Sequence, residues 1–192
     1  MERKTELIRT FIAVPFTLPG ELAEQIVAWK QQFRDEHIRW VASGNAHLTL
    51  QFLGDIDSDQ VEAVGTQLRE HLGEEHARTL PCRGLGVFGL TGAPRVLWAG
   101  LEDETFLRGL HMRVKAATGE VLATSDTKPF RPHLTLARIK HMHDPARLMR
   151  KVQEFHETLF GDVCADQVFL YKSQLQPGGA KYTPLVQVRL GT

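Results

Sequence analysis

Hydrophobic and polar residues alternate in two identical stretches, His47-Leu48-Thr49-Leu50 and His133-Leu134-Thr135-Leu136. On a strand, that period of two sends His and Thr to one face and the leucines to the other. Other patterns fill in around these two strands. Arg9 to Val14 reads as a strand stopped by Pro15, and Pro19-Gly20-Glu21 opens a helix with Leu22, Ile26, Trp29 and Phe33 at helical spacing. Ile38 to Val41 is a short strand, Ser43-Gly44-Asn45 a turn, and the first motif strand runs from His47 to Leu53 before Gly54. Asp57 or Ser58 caps a helix that continues to about Leu72.

The second half follows a similar order. Thr79 to Val87 and Arg95 to Leu101 read as strands, and a helix from Asp103 to Thr118 carries Phe106, Leu110 and Val114 on one face with Gly119 beyond its end. Lys128-Pro129-Phe130-Arg131-Pro132 is extended by its prolines and leads into the motif strand His133 to Ile139. Asp144 and Pro145 start a helix that ends near Phe160-Gly161. Asp166 to Ser173 and Tyr182 to Leu190 are the last strands, joined by a Pro177-Gly178-Gly179 turn. The sum is about eight strands and four helices, an α+β fold of two antiparallel-rich lobes. The motifs lie nearly half a chain length apart, which suggests similar lobes facing each other across a groove.

Composition narrows the function. The 192 residues can bury a sizeable core, and with Lys+Arg and Asp+Glu both 23 any nucleic-acid contact must come from a local basic patch. Cys82 and Cys164 form no C-x-x-C pair or disulfide framework, Met1 to Glu6 lack a signal-peptide pattern, and no apolar run is long enough to span a bilayer. A cytoplasmic protein is expected.

Paired imidazoles are what acid–base chemistry needs, since their unperturbed pKa of about 6.5 suits both roles near neutrality. Each strand would present an imidazole and a hydroxyl about 6.6 Å apart, the hydroxyls of Thr49 and Thr135 serving as neutral donors to phosphoryl oxygens. Competing readings are weaker. His47 and His133 could bind zinc, but H-x-T supplies no second strong ligand per strand, and His37, His71, His76, His141 and His143 lack metal-site spacing, the last two lying in a loop beside Asp144 and Pro145. Gly84-Leu85-Gly86-Val87-Phe88-Gly89 matches G-x-G-x-x-G, yet Thr91-Gly92-Ala93-Pro94 and another strand follow where a dinucleotide site needs a helix, so a hairpin or bulge is expected. Neither a Ser-His-Asp order nor a G-x-S-x-G elbow is present, which leaves water or a substrate hydroxyl as nucleophile.

With these motifs the chain resembles the 2H phosphoesterase superfamily, and within it the bacterial and archaeal RNA 2′,3′-cyclic phosphodiesterases, also called the 2′-5′ RNA ligase family. The likeness covers nearly the whole chain: Arg9 to Val14, His47 to Gly54, Arg95 to Gly100, Phe130 to Arg138, and the tail from Leu170 to Leu185. It implies a single domain of two pseudo-symmetric lobes, no metal or cofactor, and a monomer. It also implies as substrate RNA with a 2′,3′-cyclic phosphate end, tRNA fragments being one candidate, opened to a 2′-phosphate. By the same resemblance His47 is the proton donor to the leaving 3′ oxygen, His133 the proton acceptor from water, and Arg138 joins Thr49 and Thr135 on the phosphate. Strict alternation from His133 places Arg138 on the opposite face unless the strand bends, whereas Arg131 has the correct parity. Phe11 could stack on a base by its placement in the family, although a core phenylalanine is the better reading of its strand. Two alternatives stand beside the phosphodiesterase: 2′-5′ ligation or cleavage, and an RNA-end or nucleotide-binding module without turnover.

Overall fold

The computed structural model describes residues 6–90, 92–123, 129–176 and 179–192. Its strands form two antiparallel sheets. The first, in order β3-β1-β8-β9, contains β1 (Ile8–Pro15), β3 (His47–Ile56), β8 (Gln167–Gln176) and β9 (Gly179–Arg189). The second, in order β2-β6-β5-β4-β7, contains β2 (His37–Trp40), β4 (Arg78–Leu90), β5 (Ala93–Leu101), β6 (His133–His141) and β7 (Leu159–Ala165). The helices are α1 (Gly20–Gln32), α2 (Ser58–Leu72), α3 (Glu104–Gly119) and α4 (Pro145–Glu154). This is the α+β architecture of two antiparallel sheets expected from the sequence.

The helices are exchanged between sheets. Helices α2 and α3 pack on each other and on β9 and β3, while α1 and α4 lie against β7 and β4. Trp29 of α1 meets Phe155, just past α4, edge to face at 5.4 Å, and the Arg147 guanidinium lies 4.7 Å from the centre of the Phe33 ring. Thr118 of α3 donates to Gln51 Oε1 of β3 at 2.9 Å, a buried hydrogen bond between an element of the second half and one of the first. Leu48, Leu50, Leu134 and Leu136, the leucines of both motifs, are buried in the hydrophobic core as their alternation predicts.

Local signals hold at most helix starts. Asp57 and Gln60 form a reciprocal capping box on α2, and Asp144 caps α4 with Pro145 in its first turn. Three boundaries differ from expectation. Helix α4 stops at Glu154, a turn follows, and Phe160-Gly161, expected at the helix end, lie in strand β7, hydrogen-bonded to β4. Its alternating buried residues Phe160, Val163 and Ala165 follow the sheet rather than a helix face. Gly54 does not end β3, which continues to Ile56, and Gly119 is the last residue of α3 rather than the one beyond it. Lys128, Thr91, the Pro177-Gly178 turn and residues 1–5 lie outside the described residues.

The glycine-rich stretch belongs to the β4–β5 hairpin. Gly84 has φ +74° and no room for a side chain, since a Cβ would lie 2.4 Å from the His156 carbonyl oxygen. Gly86 lies under the Trp98 ring, where a Cβ would come within 2.0 Å of an indole carbon. Both glycines thus serve close packing, not a phosphate loop. Cys82 and Cys164 are free; burial pushes the Cys82 thiol up to about 12, so it behaves as a core hydrophobe.

Candidate active site

His47 opens β3 and His133 opens β6, and these two strands approach each other where the sheets meet. Each ring is held in the same way. Nδ1 of His47 lies 2.7 Å from the carbonyl oxygen of Asn45, and Nδ1 of His133 lies 2.6 Å from that of Arg131, in both cases two residues upstream. A carbonyl only accepts, so Nδ1 carries the hydrogen and Nε2 of each neutral ring keeps its lone pair. The Asn45 side chain donates to the Ala180 carbonyl at 3.0 Å, tying the short turn before β3 to β9 and fixing the carbonyl that orients His47.

Both motif strands carry the same irregularity. In the β1–β3 ladder Ile12 faces Gln51 and Ala13 faces Thr49, which leaves Leu50 as an extra residue. In the β5–β6 ladder Leu97 faces Ala137 and Trp98 faces Thr135, so Leu136 is the extra one. A bulge inserts one residue and reverses the parity of everything after it. In β6, Leu136 and Ala137 are therefore both buried, and Arg138 returns to the face of His133 and Thr135. Arg138 is exposed, and its positive charge acts on His47, His133 and Tyr182 alike. Unbroken alternation, which places Arg138 on the far side, fails at this bulge. Arg131 precedes β6 and lines a pocket of about 280 Å³ with Phe88, Trp98, Arg108 and His133.

The electrostatics favour neutral rings. Burial holds the pKa of His47 below its usual value, the Asn45 hydrogen bond opposes this, and Arg138 and His133 depress it further. His133 is likewise lowered, chiefly by burial and then by Arg138, against the bond to Arg131. Thr49 and Thr135 are half-buried on the same faces as their histidines.

Besides Phe11, a stacking candidate by resemblance, the site has neighbours that no sequence pattern marks. Phe11 is buried yet lies outside the helix-side core, its ring 5.2 Å from that of His47 and 4.9 Å from that of Tyr182. Tyr171 stacks on the same ring at 5.4 Å. On the second sheet, Phe88 meets the His133 ring edge to face at 4.8 Å. Asn45, Phe88, Tyr171 and Tyr182 had no motif to mark them, because each is brought in by a different strand or turn. His37, His141 and His143 gather at the far end of β6, with ring centres 4.9–6.2 Å apart. Among the described residues, no group of three or more His, Cys, Asp or Glu is placed to hold a metal ion.

Two sheets that each present one clamped imidazole to a common groove define a class, the phosphoesterases built around paired histidines. Comparison with known proteins agrees. Residues 16–98 match the family model described as LigT like Phosphoesterase. An RNA 2′,3′-cyclic phosphodiesterase of Thermus thermophilus is 36% identical over 95% of this chain and 90% of its own, and one of Aquifex aeolicus is 34% identical over 80% and 82%. The crystal structure of Escherichia coli LigT complexed with 3′-AMP superposes with TM-score 0.74 at 27% identity, covering 97% of this chain and all of that one. The chain belongs to the LigT-like phosphoesterases of the 2H superfamily.

Proposed function

We propose that this protein is an RNA 2′,3′-cyclic phosphodiesterase in which His133 is the general base, His47 the general acid, and Thr49, Thr135 and Arg138 bind the phosphate. The observation that carries this reading is the matched pair of clamped rings, each with Nε2 available for proton transfer. Relatives named RNA 2′,3′-cyclic phosphodiesterase cover most of the chain, which supports the choice of substrate. No helix of the described residues is long and apolar enough to cross a membrane.

The chemistry follows from the ring geometry. Neutral His133 takes a proton from water through Nε2 as the water oxygen attacks phosphorus. The bond from phosphorus to the 3′ oxygen breaks, and protonated His47 gives the Nε2 proton to that oxygen, leaving a 2′-phosphate. Negative charge grows on the non-bridging oxygens, where the Arg138 guanidinium and two neutral hydroxyls offset it. His47 must be charged at the start although burial opposes this, so the bound phosphate anion is what favours its protonation.

Incubation with an oligoribonucleotide ending in a 2′,3′-cyclic phosphate, in EDTA, tests the reading. The expected product carries a 2′-phosphate at undiminished rate. Loss of activity in EDTA with recovery on adding zinc or magnesium contradicts the two-histidine mechanism, and a 3′-phosphate product reverses the leaving group.

A further inference from the structure

Strand β2 covers the outer side of β6, and its polar face is unusual in charge. Ile38 and Trp40 pack on the core, which turns His37 and Arg39 toward the opposite side. Arg39 is the direct partner of Arg138 across the β2–β6 ladder. Directly opposed residues of an antiparallel pair project from the same face, so two guanidiniums stand side by side, an arrangement that destabilises a sheet. Past Arg138 on the same face comes Lys140, also exposed, since Ile139 between them is buried. Among the described residues none of Arg39, Arg138 and Lys140 has an acidic partner within ion-pair distance, whereas other exposed arginines such as Arg83 and Arg108 do. In a chain with balanced charge this is a local basic track, and one end of it is the arginine that acts on both histidines.

We infer that Arg39, with Lys140 beside it, binds the phosphodiester that precedes the reacting end of a single-stranded RNA. The inference rests on the proposed function, which puts the terminal phosphate at Arg138. The order His133, Thr135, Arg138, Lys140 along β6 then leads the RNA body away from the groove over the β2 edge. Repulsion between the paired arginines is relieved when a polyanion lies across them, and consecutive phosphates suit consecutive cations. Arg39 is thus a selector for RNA over mononucleotides and takes no part in the proton transfers.

The experiment compares wild type with Arg39→Ala and Arg39→Lys on a cyclic-phosphate oligoribonucleotide and on a nucleoside 2′,3′-cyclic phosphate, from 50 to 200 mM salt. Arg39→Ala should lower kcat/KM on the oligonucleotide by about tenfold, one charge-assisted contact. On the nucleoside substrate it should change the rate less than twofold. The slope of log kcat/KM against log salt should become shallower by about 0.7 for the oligonucleotide, the value for one lost contact to a single strand. Arg39→Lys should restore most of the loss. A parallel arm measures anisotropy of a labelled 3′-phosphorylated oligoribonucleotide, where Arg39→Ala should weaken binding by a similar factor whether or not turnover occurs. Equal losses on both substrates, or unchanged RNA affinity, overturn the inference. Inactive wild type with a preserved affinity difference overturns the phosphodiesterase reading and leaves the basic track standing.

Discussion

The two half-sites share their first four residues and part most sharply at the position five after the histidine. Each begins with a histidine clamped to the carbonyl two positions before it, places a threonine two positions later, and inserts a bulge at the leucine after that. The residue five after His47 is Phe52, exposed at 55% and paired with Phe11, whereas five after His133 comes Arg138. Their surroundings differ too, since β3 is a sheet edge and β6 is covered by β2. Duplicated backbone geometry provides two clamped imidazoles. A one-sided cation makes the halves unequal, which is what a reaction needing one acid and one base requires.

Removing either imidazole tests this comparison most severely. His47→Ala and His133→Ala should each lower kcat by about 10²–10⁴-fold. A substrate with sulfur at the 3′ position, whose leaving group needs no proton, should restore much of the rate to His47→Ala and not to His133→Ala; the reverse pattern exchanges the roles. Arg138→Ala comes next, with a loss of about 10²-fold. The guanidinium lowers both histidine pKa values, so its removal should move both limbs of the bell-shaped kcat/KM profile toward alkaline pH. Unmoved limbs would separate Arg138 from the histidines. Thr49→Ala and Thr135→Ala should each cost about 1.5–3 kcal/mol of transition-state stabilisation, less than the loss of a histidine. A larger threonine effect would remove the histidines from the chemistry.

The smallest effect is on stability. Both histidines have lowered pKa values in the folded protein, so the unfolded chain binds more protons once pH falls below about 6.5. Their contribution is a loss of stability as pH drops from there through the folded pKa values, and none well above. Denaturant melts of His47→Gln and His133→Gln between pH 5 and 8 should show a shallower acid decline than wild type.

What the sequence revealed depended on how local the cause was. Alternation placed His47 with Thr49 and His133 with Thr135, because neighbours on one strand need no tertiary information. Caps and prolines located the starts of α2 and α4 for the same reason. Arg138 was misplaced by parity since a bulge is a mismatch between two strands, and Leu136 looks like any other strand leucine until Leu97 and Trp98 are paired against it. Strand β7 escapes local patterns, its first residues reading as the end of α4 and the rest as no element, because Leu159 to Ala165 is short and its partner, β4, lies far back in the chain. The arginine pair at Arg39 was invisible to single-strand patterns, being defined by register alone.

The exchange of helices and strands between the sheets bears on how the molecule comes into being. Strand β1 hydrogen-bonds to β8, α1 lies against β7, and α3 lies against β3. Neither sheet can be assembled from one half of the sequence, although the histidine strands look like two copies of one unit. Contacts so distant along the chain raise contact order and slow the search for the native state. During synthesis the first histidine strand leaves the ribosome long before β8 and β9 exist to complete its sheet. Activity should therefore appear only once the last strands have docked.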